Sequence, residues 1–526
     1  MGIPSYFAHI VRKHRSIIKH ITAVGTVDNF YLDCNSLIYD AVHKLPQNAP
    51  ALDQAIITEV CQTIIEYIHL VKPTQRLFIA FDGVAPMAKL NQQRKRRFCQ
   101  PPNPVFHTAA ITPGTAFMRE LGLQVTQRFT RPTDFGLHDI IVSGSDQCGE
   151  GEHKIYDYIR SHQLYHSQTC TVVYGLDADL IMLTLHHLDI APRMFLFRET
   201  PEFIKHLDRS LNPKTNYILD IPELAERLAD ELSPLPQHHR RQGRGRTATG
   251  ATARKKQRMT LIYDYVFLCF MLGNDFLPHF PALNIRTNGI TLLIHAYLHV
   301  FGKKQHLTLT ENKTSVCWPN VRLLLEYLAG KEHDYLKEEY HNRNKQTQRL
   351  LNQPVDPKDP LLDLPMRDRR VEHYINVEEL GWETRYYKIL LDMTDEDRKR
   401  TLCHHYMQGL EWTLAYYGEN CPDWRWSYAY DYPPLLCDLL KYIPFQHHTV
   451  LLPKQAPKPV SPEAQLLYVL PPHAVHLLPP AIAPFSKNIV NETVHYQYAF
   501  CKFLWEAHVH LPELSMTDIE RDLLKK

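Results

Sequence analysis

Short apolar runs that end in an acidic residue recur along the first half of this chain. The run from Asn29 to Leu32 ends at Asp33, and the run from Leu77 to Phe81 ends at Asp82. Beyond Asp33, apolar residues return with the spacing of a helix. Strands that alternate with helices in this way form parallel sheets. The sequence therefore predicts an α/β fold with a mainly parallel sheet flanked by helices.

Five further acids hold comparable positions near the ends of apolar elements: Glu150, Glu152, Asp177, Asp179 and Asp275. The two glutamates stand at the predicted start of a helix, where the electropositive N-terminus favours carboxylates. Because the carboxyl ends of parallel strands open onto one crevice, we expect all seven acids to lie close together. Any one of them alone would more often be a helix cap or a surface charge, so the prediction depends on the whole set.

Such a group of carboxylates cannot stay ionised at close range without cations, because their pKa values would rise until they bound protons. Oxygen ligands favour Mg²⁺ or Mn²⁺ over zinc. Two such ions would support hydrolysis of a phosphodiester bond. The sequence therefore predicts a two-metal site, with Mg²⁺ as the cofactor and Mn²⁺ as a substitute.

A basic segment follows Asp82. At about 100° per residue on a helix, Lys89, Gln93, Arg96 and Arg97 share one face, whereas Arg94 and Lys95 point elsewhere. A basic helix is ordinarily a solvated surface. Its place directly after an acidic strand end favours a site that grips phosphate.

Composition limits the other classes of function. The formal net charge is only +2, so nucleic acid would have to bind to local basic patches. No apolar run approaches the roughly 20 residues of a membrane span, which predicts an intracellular protein with no membrane partner. The 11 cysteines form no C-x-x-C pair, and histidine pairs such as His447 and His448 are adjacent in sequence. Both patterns argue against a disulfide framework and against a cysteine or histidine metal site.

Changes in composition predict the domain boundaries. We expect a nuclease domain over residues 1–330, interrupted by a flexible basic loop at 238–258 that is rich in Gly, Thr and Arg. That loop is either a surface insertion or an electrostatic tether for a polyanion. Residues 331–372 are charged and contain several prolines, which predicts a helix and a linker. A second region spans 373–526, and its proline-rich part at 453–484 is expected to form an extended strap.

The second region also contains the block Asp423-Trp424-Arg425-Trp426. Burial in the core is the ordinary fate of such rings. The alternation of rings and charges would nevertheless present one of the two tryptophans at a surface where a base could stack.

With these blocks together, the chain resembles the Xrn-type 5′→3′ exoribonucleases, which are relatives of the flap-endonuclease and PIN-like nucleases. The stretches that carry the resemblance are MGIP, LDCNSLIYDAVH, FDGVAP, AKLNQQRKRRF, ITPGTAFM, GEGEHKIYDYIR, YGLDADLIML, GNDFLPHFP, GLEWTLAYY, DWRWSYAYDYPP and PEAQLLYVLPP. The resemblance covers nearly the whole chain, which ends where the second shared block of the family ends. It therefore looks like a catalytic core.

The resemblance implies a PIN-like sheet with a largely helical C-terminal region packed on it. It implies that the seven acids are the catalytic metal ligands and that Lys89, Gln93, Arg96 and Arg97 bind a 5′-monophosphate. Two rings would stack on the first base: Tyr39, where the family commonly has histidine, and Trp426, with Trp424 as the alternative. Met87 and Cys148 depart from an arginine and a proline that are usual in the family.

The implied function is Mg²⁺-dependent degradation of 5′-monophosphorylated single-stranded RNA to nucleoside 5′-monophosphates. We expect the protein to be a monomer and to work in the cytoplasm rather than in the nucleus. Two alternatives stay open from the sequence. One is a structure-specific 5′ nuclease that acts on DNA flaps, and the other is a catalytically inactive RNA-binding scaffold.

Overall fold

The computed structural model describes residues 5–46, 51–99, 106–198, 211, 215–233, 248–304, 307–355, 357, 359–453, 457–488 and 494–525. The strands within these ranges are β1 Ile18–His20, β2 Asn29–Asp33, β3 Arg76–Ala80, β4 Asp139–Ser143, β5 Thr171–Tyr174, β6 Met194–Arg198, β7 Tyr217–Asp220, β8 His495–Gln497 and β9 His508–His510.

The first seven strands form one sheet in the order β1-β7-β6-β5-β2-β3-β4. The five strands from β2 to β6 run parallel, and β1 and β7 join antiparallel at one edge. Strand β2 is the central one of the five parallel strands, and its Asp33 pairs in register with Ala80 of β3. The predicted mainly parallel sheet is therefore confirmed, and the acidic ends of β2 and β3 are neighbours.

The helices of the N-terminal half are α1 Tyr6–Lys13, α2 Asn35–Lys44, α3 Leu52–Val71, α4 Met87–Phe98, α5 Ala116–Arg128, α6 Gly151–Ser161, α7 Gln163–His166, α8 Asp179–His186, α9 Ile221–Glu231, α10 Ala248–Phe270, α11 Gly289–Phe301 and α12 Trp318–Ala329. Those of the C-terminal half are α13 Glu332–Leu351, α14 Leu364–Arg367, α15 Arg370–Ile375, α16 Trp382–Leu391, α17 Glu396–Gly418, α18 Leu436–Tyr442, α19 Pro462–Val469 and α20 Met516–Leu523.

Each face of the sheet carries its own apolar core, as the two-residue period of a strand requires. Phe30 and Leu32 of β2 face a core shared with α2, α3 and α5. Tyr31, between them, faces the opposite core, which also contains Trp412 of α17 and Leu439 of α18. The C-terminal helices therefore pack in the same core as the sheet.

Three segments that the sequence predicts as a loop, a linker or a strap can be compared with the structure. Residues 238–247 of the predicted basic loop lie outside the described residues, whereas 248–258 belong to α10, so a loop is the wrong prediction there. In the segment 331–372, α13 is the predicted helix, and the stretch that follows it leads to the short helices α14 and α15.

We expected the proline-rich part at 453–484 to form an extended strap. Its described residues instead contain the helix α19. Pro462 occupies the first turn, where its missing N–H is not needed. The Ser461 hydroxyl caps the helix by accepting a hydrogen bond from the Ala464 amide at 3.2 Å. Leu466 and Leu467 of α19 then pack against Leu90 of the basic helix α4.

Within the described residues, none of the helices has the length and apolar character that crossing a membrane requires.

Candidate metal and nucleic-acid site

The first two acids lie where the parallel strands end. Asp33 is the last residue of β2, and Asp82 lies two residues beyond β3. Asp82 accepts hydrogen bonds at 2.7 Å from the Asn35 side chain and from the Gly151 amide. A Cβ on Gly151 would lie 2.5 Å from Asp33 Oδ1, so only glycine lets the start of α6 approach both acids this closely.

The start of α6 brings the two glutamates into the same place. Glu150 directly precedes the helix, and its Oε1 accepts a hydrogen bond from the Tyr416 hydroxyl at 2.8 Å. Glu152 is buried in the first turn. Potential ligand atoms of Glu150, Glu152 and His153 all lie within 4.8 Å of one another. The His153 ring stacks on Tyr416, with centroids 3.7 Å apart.

Asp177, Asp179 and Asp275 complete the group. Asp177 is exposed, Asp179 is buried as the first residue of α8, and Asp275 lies in the loop that follows α10. Asp275 accepts hydrogen bonds from Lys89 at 2.8 Å and from Gln92 at 2.6 Å. The structure therefore gathers all seven predicted acids, which we call the acidic cluster.

The electrostatics show that negative charge is in excess. Burial raises the pKa of Asp33 well above its ordinary value, and the nearby Asp82 and Asp177 raise it further. Burial and Asp179 likewise raise the pKa of Glu152. Burial and Asp275 raise the pKa of Asp179 to about 7.

Buried oxygen atoms without a hydrogen-bond partner also indicate that the cluster could hold cations. Asp33 Oδ1, Glu152 Oε2 and Asp179 Oδ1 are buried, and none has a hydrogen-bond partner among the described residues. A buried acceptor without a partner is costly, so these oxygens fit a set of cation ligands better than a set of structural acids.

Lys89 brings a positive charge into the cluster. Its ammonium lies 2.7 Å from Glu150 Oε2 and 2.8 Å from Asp275 Oδ2. Burial alone would raise the pKa of Asp275, but the Lys89 ammonium acts in the opposite direction, and that pKa lies below its ordinary value. Lys89 therefore pairs with two acids here and does not stand with the other basic residues of α4.

The other three residues of the predicted basic face differ in how far their side chains are exposed. Arg96 is exposed, Gln93 is half-buried, and Arg97 is buried. The Arg97 Nη2 donates to the Ile111 carbonyl at 3.3 Å, whereas its buried Nη1 has no partner among the described residues. Burial lowers the pKa of Arg97 to about 10, while Tyr39 acts in the opposite direction.

Arg94 and Lys95 leave this face, as the helical spacing predicts. Arg94 lies over the Tyr468 ring of α19, and its Nη2 donates to the Pro512 carbonyl at 2.8 Å. Lys95 pairs with Asp431 at 2.6 Å.

The two candidate tryptophans have different surroundings. Trp426 is only 7% exposed and stacks on Trp412 with centroids 5.3 Å apart. A Cβ on Gly409 would lie 2.9 Å from its ring, so the packing is tight. Trp424 is half-buried, and its carbonyl accepts the amide of Met87 at the start of α4, at 3.0 Å. Of the two predicted rings, Trp424 is therefore the more accessible, whereas the preferred Trp426 is covered by Trp412.

Sequence reasoning missed four residues that shape the cluster: Asn35, Gln92, Lys154 and Tyr416. Lys154 is buried and donates to the carbonyls of Phe81 and Gly144, both at 2.8 Å. Asn35 and Lys154 belong to motifs noted in the sequence, so their place beside the acids offered a signal. Tyr416 lies 266 residues from its partner Glu150, and no local pattern links them.

Comparison with known proteins agrees with this geometry. The sequence profile described as the N-terminus of the XRN 5′-3′ exonuclease matches residues 1–104 and 99–200. The profile described as the Xrn1 helical domain matches residues 256–366 and 363–495. The chain belongs to the XRN family.

Individual XRN relatives are similar over most of the chain. The 5′-3′ exoribonuclease 1 of Saccharomyces cerevisiae is 26% identical over 639 residues, which cover 92% of this chain and 40% of the relative. The human 5′-3′ exoribonuclease 1 is 27% identical, covering 94% and 32%. The 5′-3′ exoribonuclease 2 of Gallus gallus is 27% identical, covering 91% and 64%. The chain thus spans between about a third and two thirds of the length of these relatives.

Proposed function

We propose that this chain is a metal-dependent 5′→3′ exoribonuclease that removes nucleoside 5′-monophosphates from 5′-monophosphorylated single-stranded RNA. The observation that carries the proposal is the excess of buried carboxylates at the sheet edge, with three orphaned oxygens. Its XRN relatives are named as 5′-3′ exoribonucleases, which supports the direction and the substrate class. An RNA-binding scaffold would have no physical reason to keep mutually repelling buried acids.

The acidic cluster fits hard divalent cations, because it offers carboxylate oxygens of which several lack a partner. We assign all seven acids to the binding of two Mg²⁺ ions, for which Mn²⁺ would substitute. When bound, such ions supply Lewis-acid activation of a water molecule and of the scissile phosphate.

The protein groups around the cluster hold the ligands in place. Asn35 and the Gly151 amide orient Asp82, and the Tyr416 hydroxyl orients Glu150. Lys89 links Glu150 to Asp275 and balances part of their charge. These contacts would preorganise the acids, so that cations meet ligands that are already oriented.

We propose that Arg96, Arg97 and Gln93 bind the 5′-monophosphate. A buried guanidinium nitrogen without a partner is unfavourable, and a phosphate oxygen would satisfy the Arg97 Nη1 by a charge-assisted hydrogen bond. We assign Lys89 to the boundary between this pocket and the acids, because its ammonium already pairs with two carboxylates. It would thereby set the distance between the bound phosphate and the bond that is cut.

For the first base we propose Tyr39 and Trp424 as the stacking rings. Both are half-buried. Tyr39 is close enough to Arg97 to influence its pKa, and Trp424 bonds through its carbonyl to the start of α4. Each therefore lies next to the helix that would hold the phosphate.

The test compares RNA of one sequence with a 5′-monophosphate or a 5′-hydroxyl, and a DNA flap, each with Mg²⁺ or with EDTA. We expect release of nucleoside 5′-monophosphates from the monophosphorylated RNA, at least tenfold slower release from the 5′-hydroxyl RNA, and none in EDTA. Faster cleavage of the DNA flap would favour the flap nuclease. Metal-independent binding without cleavage would favour the scaffold.

The phosphate pocket is tested in the same assay by Arg96→Gln and Arg97→Gln. Each loses a charged phosphate contact worth about 1.5–3 kcal/mol, so the preference for the 5′-monophosphate should fall roughly tenfold or more. Lys95→Gln is the matched control, because it removes a charge from another face of the same helix. An unchanged preference in both arginine variants would show that the pocket lies elsewhere.

A further inference from the structure

A second group of metal-ligating side chains lies outside the acidic cluster. A short hairpin is closed by the bridge between Thr310 and Val316, and it carries Glu311 on one arm. Cys317 follows the other arm and directly precedes α12. His447 comes from the loop after α18. Ligand atoms of Glu311, Cys317 and His447 all lie within 4.8 Å of one another.

The spacing of the two softer ligands fits a tetrahedral metal. Cys317 Sγ and His447 Nδ1 are 3.7 Å apart. Two ligands at about 2.3 Å and about 2.0 Å from a tetrahedral zinc ion are separated by about 3.5 Å. The pair therefore needs to move only by a few tenths of an ångström to hold zinc.

His448 supports the carboxylate of this group. Its Nδ1 lies 2.8 Å from Glu311 Oε2, and its backbone amide donates to Glu311 Oε1 at 3.3 Å. The separation of 2.8 Å is that of a hydrogen bond and is too short for two ligands of one ion. His448 thus orients Glu311, as outer groups orient carboxylate ligands in known metal sites.

The hairpin is also held rigidly from behind. The buried Asp264 of α10 accepts hydrogen bonds from the amides of Leu309 and Thr310 at 3.0 and 2.9 Å. The Cys317 amide donates to the Leu309 carbonyl at 2.8 Å. Two of the three ligands therefore sit on backbone that is already ordered, which lowers the entropic cost of binding an ion.

We propose that Glu311, Cys317 and His447 form a zinc site, with water as the fourth ligand and His448 as the orienting group. A thiolate and an imidazole select zinc over the hard Mg²⁺ ion of the acidic cluster. The ion would clip the hairpin to the loop after α18, and so join segments 130 residues apart in sequence. The proposal does not depend on the nuclease activity.

The hairpin touches the support of the acidic cluster. The Lys313 carbonyl at its tip accepts a hydrogen bond from His186 of α8 at 2.7 Å. A Cβ on Gly418 would lie 2.2 Å from the same carbonyl, so the end of α17 packs directly on the hairpin. The zinc clip would therefore brace two helices, α8 and α17, that carry Asp179 and Tyr416.

The experiment measures zinc by elemental analysis in the whole chain after purification and dialysis without chelator. We expect one zinc per chain in the wild type, and almost none in Cys317→Ser or in His447→Ala. His448→Ala should retain the site but bind zinc about 10- to 100-fold more weakly. Replacement of zinc by Co²⁺ should produce a thiolate-to-cobalt charge-transfer band in the wild type that Cys317→Ser lacks.

Two controls separate this site from others. Cys61→Ser removes a half-buried thiol on α3 and should keep the zinc and the cobalt band. Asp179→Asn alters the acidic cluster and should keep both as well. The proposal is overturned if the wild type binds no zinc, or if the zinc is lost with Asp179→Asn and kept in Cys317→Ser. His447→Ala decides the matter if Cys317→Ser does not fold, because His447 is exposed.

Discussion

Two regions of this molecule bury several charges, and they do so in opposite ways. The acidic cluster holds seven carboxylates, of which Glu150 and Asp275 pair with the ammonium of Lys89. In the second region, which we call the arginine pair site, Glu372 lies between Arg343 and Arg369. Arg343 donates to both oxygens of Glu372 at 2.6 and 2.9 Å, and Arg369 donates at 2.6 Å. The Phe500 amide adds a further bond at 2.9 Å.

The pKa values record this difference. Burial alone would raise the pKa of Glu372, but Arg343 and Arg369 outweigh it and leave that pKa below its ordinary value. In the acidic cluster burial and neighbouring carboxylates act together, and the pKa of Asp179 rises to about 7. A buried charge that is compensated serves the fold. A buried excess of one charge is relieved by bound protons or by a ligand, and for this reason we propose the acidic cluster as the functional site.

The largest effect that separates the two regions should come from Asp179→Asn. This change removes one of the cation ligands that we propose, so we expect cleavage of RNA to slow at least a thousandfold, which is about 4 kcal/mol of activation free energy. Without divalent ions, the free energy of unfolding should not fall, because a repelling charge has been removed. Cleavage rates and denaturant unfolding in EDTA measure the two effects. A stable variant with normal turnover would contradict the assignment.

Glu372→Gln should give the reverse result. It leaves two buried guanidinium groups without their counter-charge, so the free energy of unfolding should fall by about 3 kcal/mol. The cleavage rate per folded molecule should stay the same, since the site lies apart from the acids. Denaturant unfolding and an activity assay at a temperature where the variant is folded test this. A loss of turnover without a loss of stability would contradict the assignment of Glu372 to the fold.

Glu332 gives the smallest effect, since it is a buried acid held by two backbone amides and by the Cys437 side chain instead of by arginines. Leu436 and Cys437 donate to it at 2.7 and 3.1 Å, and burial raises its pKa to about 7 despite these bonds. The native state therefore binds its proton more tightly than the unfolded state. Its contribution to stability is present below the ordinary glutamate pKa of about 4.3 and is lost as the pH rises through about 7.

Glu332→Gln should flatten this part of the pH profile. We expect the fall in unfolding free energy between about pH 5 and about pH 8 to shrink by on the order of 1 kcal/mol. Denaturant unfolding across that range measures it. A profile as steep as that of the wild type would show that Glu332 does not titrate there.

Local patterns predicted the strand ends well. The apolar runs before Asp33 and Asp82 specify parallel strands, and parallel strands bring their carboxyl ends together. The helical spacing also separated Arg94 and Lys95 from the other basic residues. What the spacing could not show is which groups face each side of α4, such as the two acids that pair with Lys89.

Long-range packing accounts for the other differences. Alternation would put Trp424 and Trp426 on the same side of an extended segment, and only the core around Trp412 shows that Trp426 is the more buried of the two rings. The zinc ligands Cys317 and His447 are 130 residues apart, so neither C-x-x-C nor helical spacing could suggest them. The many prolines of residues 453–484 favoured an extended segment over the helix α19. Ser461 and Pro462 nevertheless have the pattern of a helix start.

We propose that the acidic cluster needs divalent cations to relieve its charge. The most direct test is the unfolding temperature of the chain with increasing Mg²⁺, in the wild type, in Asp179→Asn and in Glu372→Gln. We predict that Mg²⁺ raises the unfolding temperature of the wild type and of Glu372→Gln by the same amount, and raises that of Asp179→Asn much less. Equal shifts in all three proteins, or none in the wild type, would contradict the claim.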